Sequence, residues 1–228
     1  MAEIEATGLV KRFGRRSALG GVDLVIEPGE LCGVVGEDGA GKTTLLRLVA
    51  GLYRPDEGRV QLAHGRASLG LAPQGFHLYE DLTVEENLAF FAALHGMAGR
   101  TLASRSTELL AFTGLEHLRA RRAGALSGGM RQRLTLACSI VHLPAVVLLD
   151  EPTTGLDPVA RRDLWTLVEH LHADGTTILV ATADFDEASR CETAVFLHAG
   201  RVLARGGLED VQGSLPTLEA AFLAAMRR

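Results

Sequence analysis

The chain has 228 residues, 47% of them hydrophobic, a length and apolar content that suit one large α/β domain able to bury a sizeable core. Charged residues make up 22% with a formal net charge of −5, and no Lys/Arg cluster stands out, so the electrostatic footprint of a nucleic-acid binder is missing. Three widely spaced cysteines, Cys32, Cys138 and Cys191, give neither a disulfide framework nor a metal spacing and read as free thiols of a reducing compartment.

From the N-terminus, residues 1–8 alternate polar and apolar positions with acids, which is wrong for a signal peptide, and residues 3–10 read as a strand. Residues 19–26 and 59–62 read as further strands of the same antiparallel layer. Residues 31–35 form a short apolar strand that enters a glycine-rich stretch. Residues 42–50 follow with helical spacing (Leu45, Leu48, Val49) until Gly51 stops them. The texture changes from about residue 75 to residue 136. There Thr83-Val84-Glu85-Glu86 opens a helix as a capping box, with Leu88, Phe91 and Ala92 on one face, and helical stretches follow over 102–112 and 130–140. This middle section reads as a helical lobe inserted into an α/β body made of residues 1–74 and 137–228. Residues 146–149 and 177–180 are charge-free strands of the parallel-sheet type. Between them lies a helix capped by Asp157, with Pro158 at its first position and a stripe of Leu164, Leu167, Val168 and Leu171. Residues 194–204 form a hairpin that extends the main sheet, and residues 216–228 an amphipathic tail helix. No apolar run approaches the ~20 residues that span a bilayer.

Three stretches carry chemistry. Gly36-Glu37-Asp38-Gly39-Ala40-Gly41-Lys42-Thr43, followed by Thr44, satisfies the P-loop pattern in its required strand–loop–helix setting. Its glycines let the backbone turn successive N–H groups onto phosphate oxygens, and the helix N-terminus adds its positive dipole end. Lys42 supplies a point charge for the β- and γ-phosphates, and the Thr43 hydroxyl can ligate Mg²⁺. Asp150 and Glu151 end a buried strand, where alternation splits their directions. Asp150 is placed to hold Mg²⁺ and Glu151 to orient and deprotonate the attacking water. In Leu126-Ser127-Gly128-Gly129-Met130-Arg131-Gln132-Arg133, Ser127 is an N-cap and the glycines expose backbone N–H groups, a second anion site with no lysine of its own.

Taken together and in this order, these stretches resemble the motifs of ABC-type ATPases, and the resemblance covers nearly the whole chain. It implies that ATP and Mg²⁺ are bound between the P-loop of one domain and the Ser127-Gly128-Gly129 segment of another in a head-to-tail dimer. It further implies that Phe13 stacks on adenine, that Gln74 touches Mg²⁺ and the water and links to the helical lobe, and that the loop ending at Asp157 contacts the opposite subunit. The chain departs from the family pattern at Ala183, which stands where a γ-phosphate-contacting histidine is usual, and at Glu37 and Asp38, acids at loop positions that can face outward. The stretch 77–88 is similar to that of drug-type exporters, whose ATPase halves come in tandem or as unlike pairs. The implied protein is the cytoplasmic ATPase subunit of an exporter, held at the inner face of the membrane by a separate multi-span permease. Two alternatives stand beside it: a weakly active regulatory module paired with a working half, and a soluble ABC ATPase of translation or DNA repair, which the balanced charge and short inserts disfavour.

Overall fold

The computed structural model describes residues 2–227. β1 (Ile4–Phe13) and β2 (Arg16–Ile26) form an antiparallel hairpin that turns at Gly14, whose φ of 59° is left-handed. The pair extends beyond residue 10, where the sequence reading ended the first strand, because Phe13 and Arg16 still face each other across it. β3 (Leu31–Val35), buried throughout, feeds α1 (Lys42–Val49), and β4 (Glu57–Leu62) returns to β1 to complete a three-stranded sheet ordered β2-β1-β4.

Next comes β5 (Leu69–Ala72), a strand that the sequence reading did not include. It is four residues long and has Gly70 at its centre. A Cβ there would lie 2.2 Å from the carbonyl oxygen of Ser139, so glycine is what lets the strand touch the helix covering it. α2 (Val84–Leu94) starts at the expected capping box: Glu86 N donates to Thr83 Oγ1 at 3.2 Å and Thr83 N to Glu86 Oε2 at 2.8 Å. α3 (Gly99–Thr113) and α4 (Gly128–Ile140) follow. α4 runs unbroken through residues 136 and 137, so the helix is shared by the helical region and the sheet.

β6 (Val146–Asp150), α5 (Pro158–Ala173) and β7 (Thr177–Thr182) come next, then the short α6 (Phe185–Ala188), β8 (Thr193–His198) and β9 (Arg201–Gly207), and finally α7 (Leu208–Gln212) and α8 (Leu218–Met226). α6 and α7, at four and five residues, are too short to show a helical period in sequence. The main sheet is ordered β5-β6-β7-β3-β8-β9, parallel except for β9. Alternation along β6 divides its side chains between two cores. Val147 and Leu149 pack with Leu88, Leu134 and Trp165 of the helices on one face. Leu148 packs on the other, with Leu45 and Leu46 of α1 and with Ile4, Leu9 and Leu24 of the antiparallel sheet. The carboxyl ends of the parallel strands therefore emerge at one edge, between two covered faces, where open α/β sheets bind ligands.

On the far side, His95 at the end of α2 stacks on His142 just past α4, ring centroids 3.6 Å apart and planes 3° apart, and His142 Nε2 lies 3.2 Å from the Leu69 carbonyl oxygen. Burial first, and His95 second, hold His142 below the usual histidine range. A depressed folded pKa means that the unfolded chain takes up the proton first. The stability tied to neutral His142 is present above the unfolded value, near 6.5, and is lost as pH falls below it. Thermal melts at about pH 7.5 and about pH 5.5 should therefore differ more for the wild type than for His142→Gln; equal differences would show that the stack carries no such linkage.

Candidate functional site

The loop after β3 is shaped by glycines that no other residue can replace without strain. A Cβ on Gly36 would sit 2.0 Å from the Leu197 carbonyl oxygen, and Gly39 and Gly41 take left-handed φ values of 79° and 110°. Ala40 is buried and closes the turn, its N–H donating to Glu37 O at 3.1 Å and its carbonyl accepting from Gly200 N at 2.9 Å. α1 begins with neither a side-chain cap nor an acid in its first turn, which leaves its leading N–H groups for an anion. Lys42, 5% exposed, is drawn back into the loop. Its ammonium donates to Gly36 O at 2.8 Å and Glu37 O at 3.2 Å and pairs with Glu151 Oε1 at 3.2 Å.

β6 delivers the acids. Asp150 is 2% exposed and accepts from Thr43 Oγ1 at 3.0 Å. Burial lifts its carboxyl above the usual range, and the Thr43 hydrogen bond only partly opposes this. A buried carboxylate and a hydroxyl 3.0 Å apart are hard oxygen donors of the kind that Mg²⁺ takes, and a cation there would offset the desolvation of Asp150. Glu151 turns away from the strand with φ 51°, left-handed for a non-glycine residue. Its N–H donates to Ala181 O at 2.8 Å, and its carboxylate accepts from Thr154 Oγ1 at 2.9 Å.

Phe13, Asp38, Gly39, Gly41, Lys42, Thr43, Thr44, Gln74 and Glu151 line one cleft of about 510 Å³. Phe13, 46% exposed, packs edge-on against Tyr53 at 5.4 Å between ring centroids. Gln74 is exposed just past β5. Glu37 leans outward to His198, with 3.6 Å between Oε2 and Nδ1, whereas Asp38 borders the cleft as well as the hollow behind it. Arg16 lines the same cleft, and a Cβ placed on Gly39 would come within 3.1 Å of its guanidinium. The sequence reading missed Arg16, and no motif marks it: only the reach of the β1–β2 hairpin brings it there.

Ser127, Gly128, Gly129 and Asp157 lie in a different cleft, of about 430 Å³. Ser127 caps α4, its Oγ accepting from Met130 N at 3.3 Å, and Asp157 caps α5 by accepting from Val159 N and Ala160 N at 2.9 and 3.0 Å. A Cβ on Gly129 would lie 2.7 Å from that of Ala160, so the two helix starts are pressed together. Within one chain, then, the residues predicted to grip phosphate from two sides face two separate clefts. Ala183 is exposed in the loop between β7 and α6.

Residues 19–154 match the family model for ABC transporters. The chain is 44% identical over 216 residues to the probable multidrug ABC transporter ATP-binding protein YbhF of Escherichia coli, covering 90% of this chain but 37% of that protein, so it spans well under half of that relative's length. It is 40% identical to the Nod factor export ATP-binding protein I of Burkholderia lata, over 90% of this chain and 71% of that protein. Among solved structures, the ATP-binding subunit of an ABC transporter superposes with a TM-score of 0.87 at 30% identity, over 98% of this chain and 99% of that one. A dimeric post-hydrolysis state of the ATP-binding cassette MJ0796, bound to ADP and Pi, gives 0.82 at 28% identity, over 90% and 98%. By the match to the family model and by these identities, the chain belongs to the ABC transporter family, as an ATP-binding domain.

Proposed function

We propose that this chain binds and hydrolyses MgATP to power export through a separate multi-span permease, and that it does so by closing head-to-tail on a second ATPase domain. The observation that carries the reading is the pair of clefts. One holds Lys42, Thr43 and Glu151, the other Ser127 and Asp157, and each chain presents half of a phosphate site twice. A second domain turned end for end would lay its Ser127-Gly128-Gly129 segment over the first domain's Lys42. We assign residues 1–74 and 137–228 to the nucleotide-binding body and 75–136 to the lobe that meets the permease. Tyr79 and Phe90, both partly exposed and in edge contact at 4.5 Å, offer an apolar surface there. The relative named as a Nod factor export protein favours the direction. On this reading the chain works on the cytoplasmic side, at the membrane's inner face.

The geometry supports the following roles, which the resemblance implies. Lys42 would leave the carbonyls of Gly36 and Glu37 for the β- and γ-phosphates, and that move would also release Glu151 from its ion pair. Glu151, freed and held by Thr154, would accept the proton of the attacking water. Thr43, Asp150 and Gln74 would hold Mg²⁺, which when bound neutralises charge on the transferring phosphoryl oxygens. Phe13 would stack on adenine at the cleft's open end. Ala183 offers a methyl where a donor to the γ-phosphate is usual, and loss of one such donor costs about 10²–10³ in rate. That feature favours a second reading, in which this domain closes on ATP but leaves turnover to an unlike partner.

The purified chain should bind MgATP tightly and turn it over well below the ~10 per second typical of working enzymes. Ala183→His should raise the rate, and an unchanged rate would make position 183 irrelevant. Lys42→Ala should abolish nucleotide binding in a calorimetric titration; retained affinity would remove the phosphate grip assigned to it. Glu151→Gln should accumulate an ATP-bound dimer on size exclusion, and normal hydrolysis by that variant would overturn its assignment as base.

A further inference from the structure

Glu187 is a buried carboxylate with no part in the roles above. It sits on α6 and is 3% exposed. Each of its oxygens accepts one side-chain hydrogen bond: Oε1 from Thr153 Oγ1, and Oε2 from Thr182 Oγ1 at 2.7 Å. Both threonines are themselves buried, at 3% and 2% exposure. Thr153 lies two residues past Glu151, and Thr182 ends β7 immediately before Ala183. The nearby Arg161 is engaged by Asp184, whose N–H in turn donates to Thr182 Oγ1 at 3.0 Å. Burial pushes the Glu187 carboxyl above the usual range. A buried acid bonded on both oxygens is costly to keep, so its geometry needs a reason.

Glu151 supplies that reason. Its left-handed backbone is of the kind that persists only where the surroundings over-determine it. One tether is its own N–H to Ala181 O, which joins it to β7. The Thr153–Glu187–Thr182 bridge is a second tether between the same two segments, on the other side of Glu151 in the chain.

We propose that Glu187 is a positioning residue for Glu151: by accepting from Thr153 and Thr182 together, it clamps the loop leaving β6 to the end of β7 and fixes where the Glu151 carboxylate points. The proposal rests on the reading of Glu151 as the base. A residue that merely fills space would affect stability and nucleotide affinity together; a positioning residue affects turnover.

The test measures kcat and KM for ATP, MgATP affinity and melting temperature in the full chain and its variants. Glu187→Ala should lose about tenfold or more in kcat, as small misplacements of reacting groups do, with affinity within about threefold. Glu187→Gln, which keeps the shape and one acceptor, should recover part of that loss. Thr153→Ala should lower kcat in the wild type but add little to Glu187→Ala, because both remove the same bridge. Wild-type kcat in Glu187→Ala overturns the proposal, as does parallel loss of kcat, affinity and melting temperature with no recovery in Glu187→Gln. If Glu187→Ala does not fold, Thr153→Ala decides: retained kcat there overturns it. Glu151→Gln separates this idea from the reading beneath it. If that variant is inactive while Glu187→Ala turns over normally, only the clamp fails; if it hydrolyses normally, the base assignment itself has failed.

Discussion

Lys42 and Glu151 meet at 3.2 Å across the carboxyl edge of the main sheet, and the rest of the architecture can be read as what holds them there. They come from strands that are not neighbours: β3 and β6 are separated by β7. What aligns them is register. Val35 pairs with Thr182 and Asp150 with Ala181, so the two strands end level with each other on either side of β7. A shift of one residue would send Asp150 to the opposite face and carry Glu151 away from the loop. The register is in turn fixed by two cores, because every second residue of β6 belongs to a different hydrophobic cluster and neither can be vacated cheaply.

The same constraint explains where the strain sits. A parallel sheet covered on both faces is rigid, and its strands end abruptly in loops that must turn at once. Gly36 turns within contact of the Leu197 carbonyl, and Glu151 turns with a left-handed backbone. At Glu151 a locally favourable conformation has given way to the position of a functional group, at Gly36 only the lack of a side chain lets the loop turn so close, and both lie beside Lys42. The antiparallel sheet serves the same edge from outside: its hairpin reaches over the loop and brings Phe13 and Arg16 to the cleft's rim.

Much of this was legible in the sequence because phosphate binding needs special backbone. The glycines, the lysine and the helix start of the P-loop occur together for a physical reason, and so do the capping residues Ser127, Thr83 and Asp157, whose hydrogen bonds are all present. The strands of both sheets were legible wherever alternation or an unbroken apolar run extended over four residues. What was not legible depends on contacts between segments far apart in the chain. β5 hides behind its glycine, which only the Ser139 carbonyl justifies. Arg16 looks like any hairpin arginine until the hairpin is folded over Gly39. Glu187 looks like a solvated acid in an Asp-Glu-Ala run, and its burial between two threonines follows only from the packing of α6 against β3 and β7. Ala183 was visible as a departure from pattern, but a residue that is missing leaves no contact by which its effect could be read.

Charge around the cleft sets a final condition on how it can work. Asp38, Asp150 and Glu151 all lie on or beside the space assigned to a polyphosphate; among the described residues Lys42 and Arg16 line it against them, and Arg47 opposes Asp150 from the side. Like charges about 4 Å apart repel by about 4 kcal/mol at the effective dielectric of a protein surface, so these side chains cannot balance three acids and a triphosphate. Glu37 is turned away toward His198, which removes one acid from the sum. The N–H groups at the start of α1 meet part of the imbalance, and a bound cation would meet more. The Thr43–Asp150 oxygen pair, beside the phosphates and partly desolvated, is where a divalent cation would meet it. On the proposed reading, nucleotide and cation would belong to one binding event, since each would make tolerable the charge that the other would meet alone.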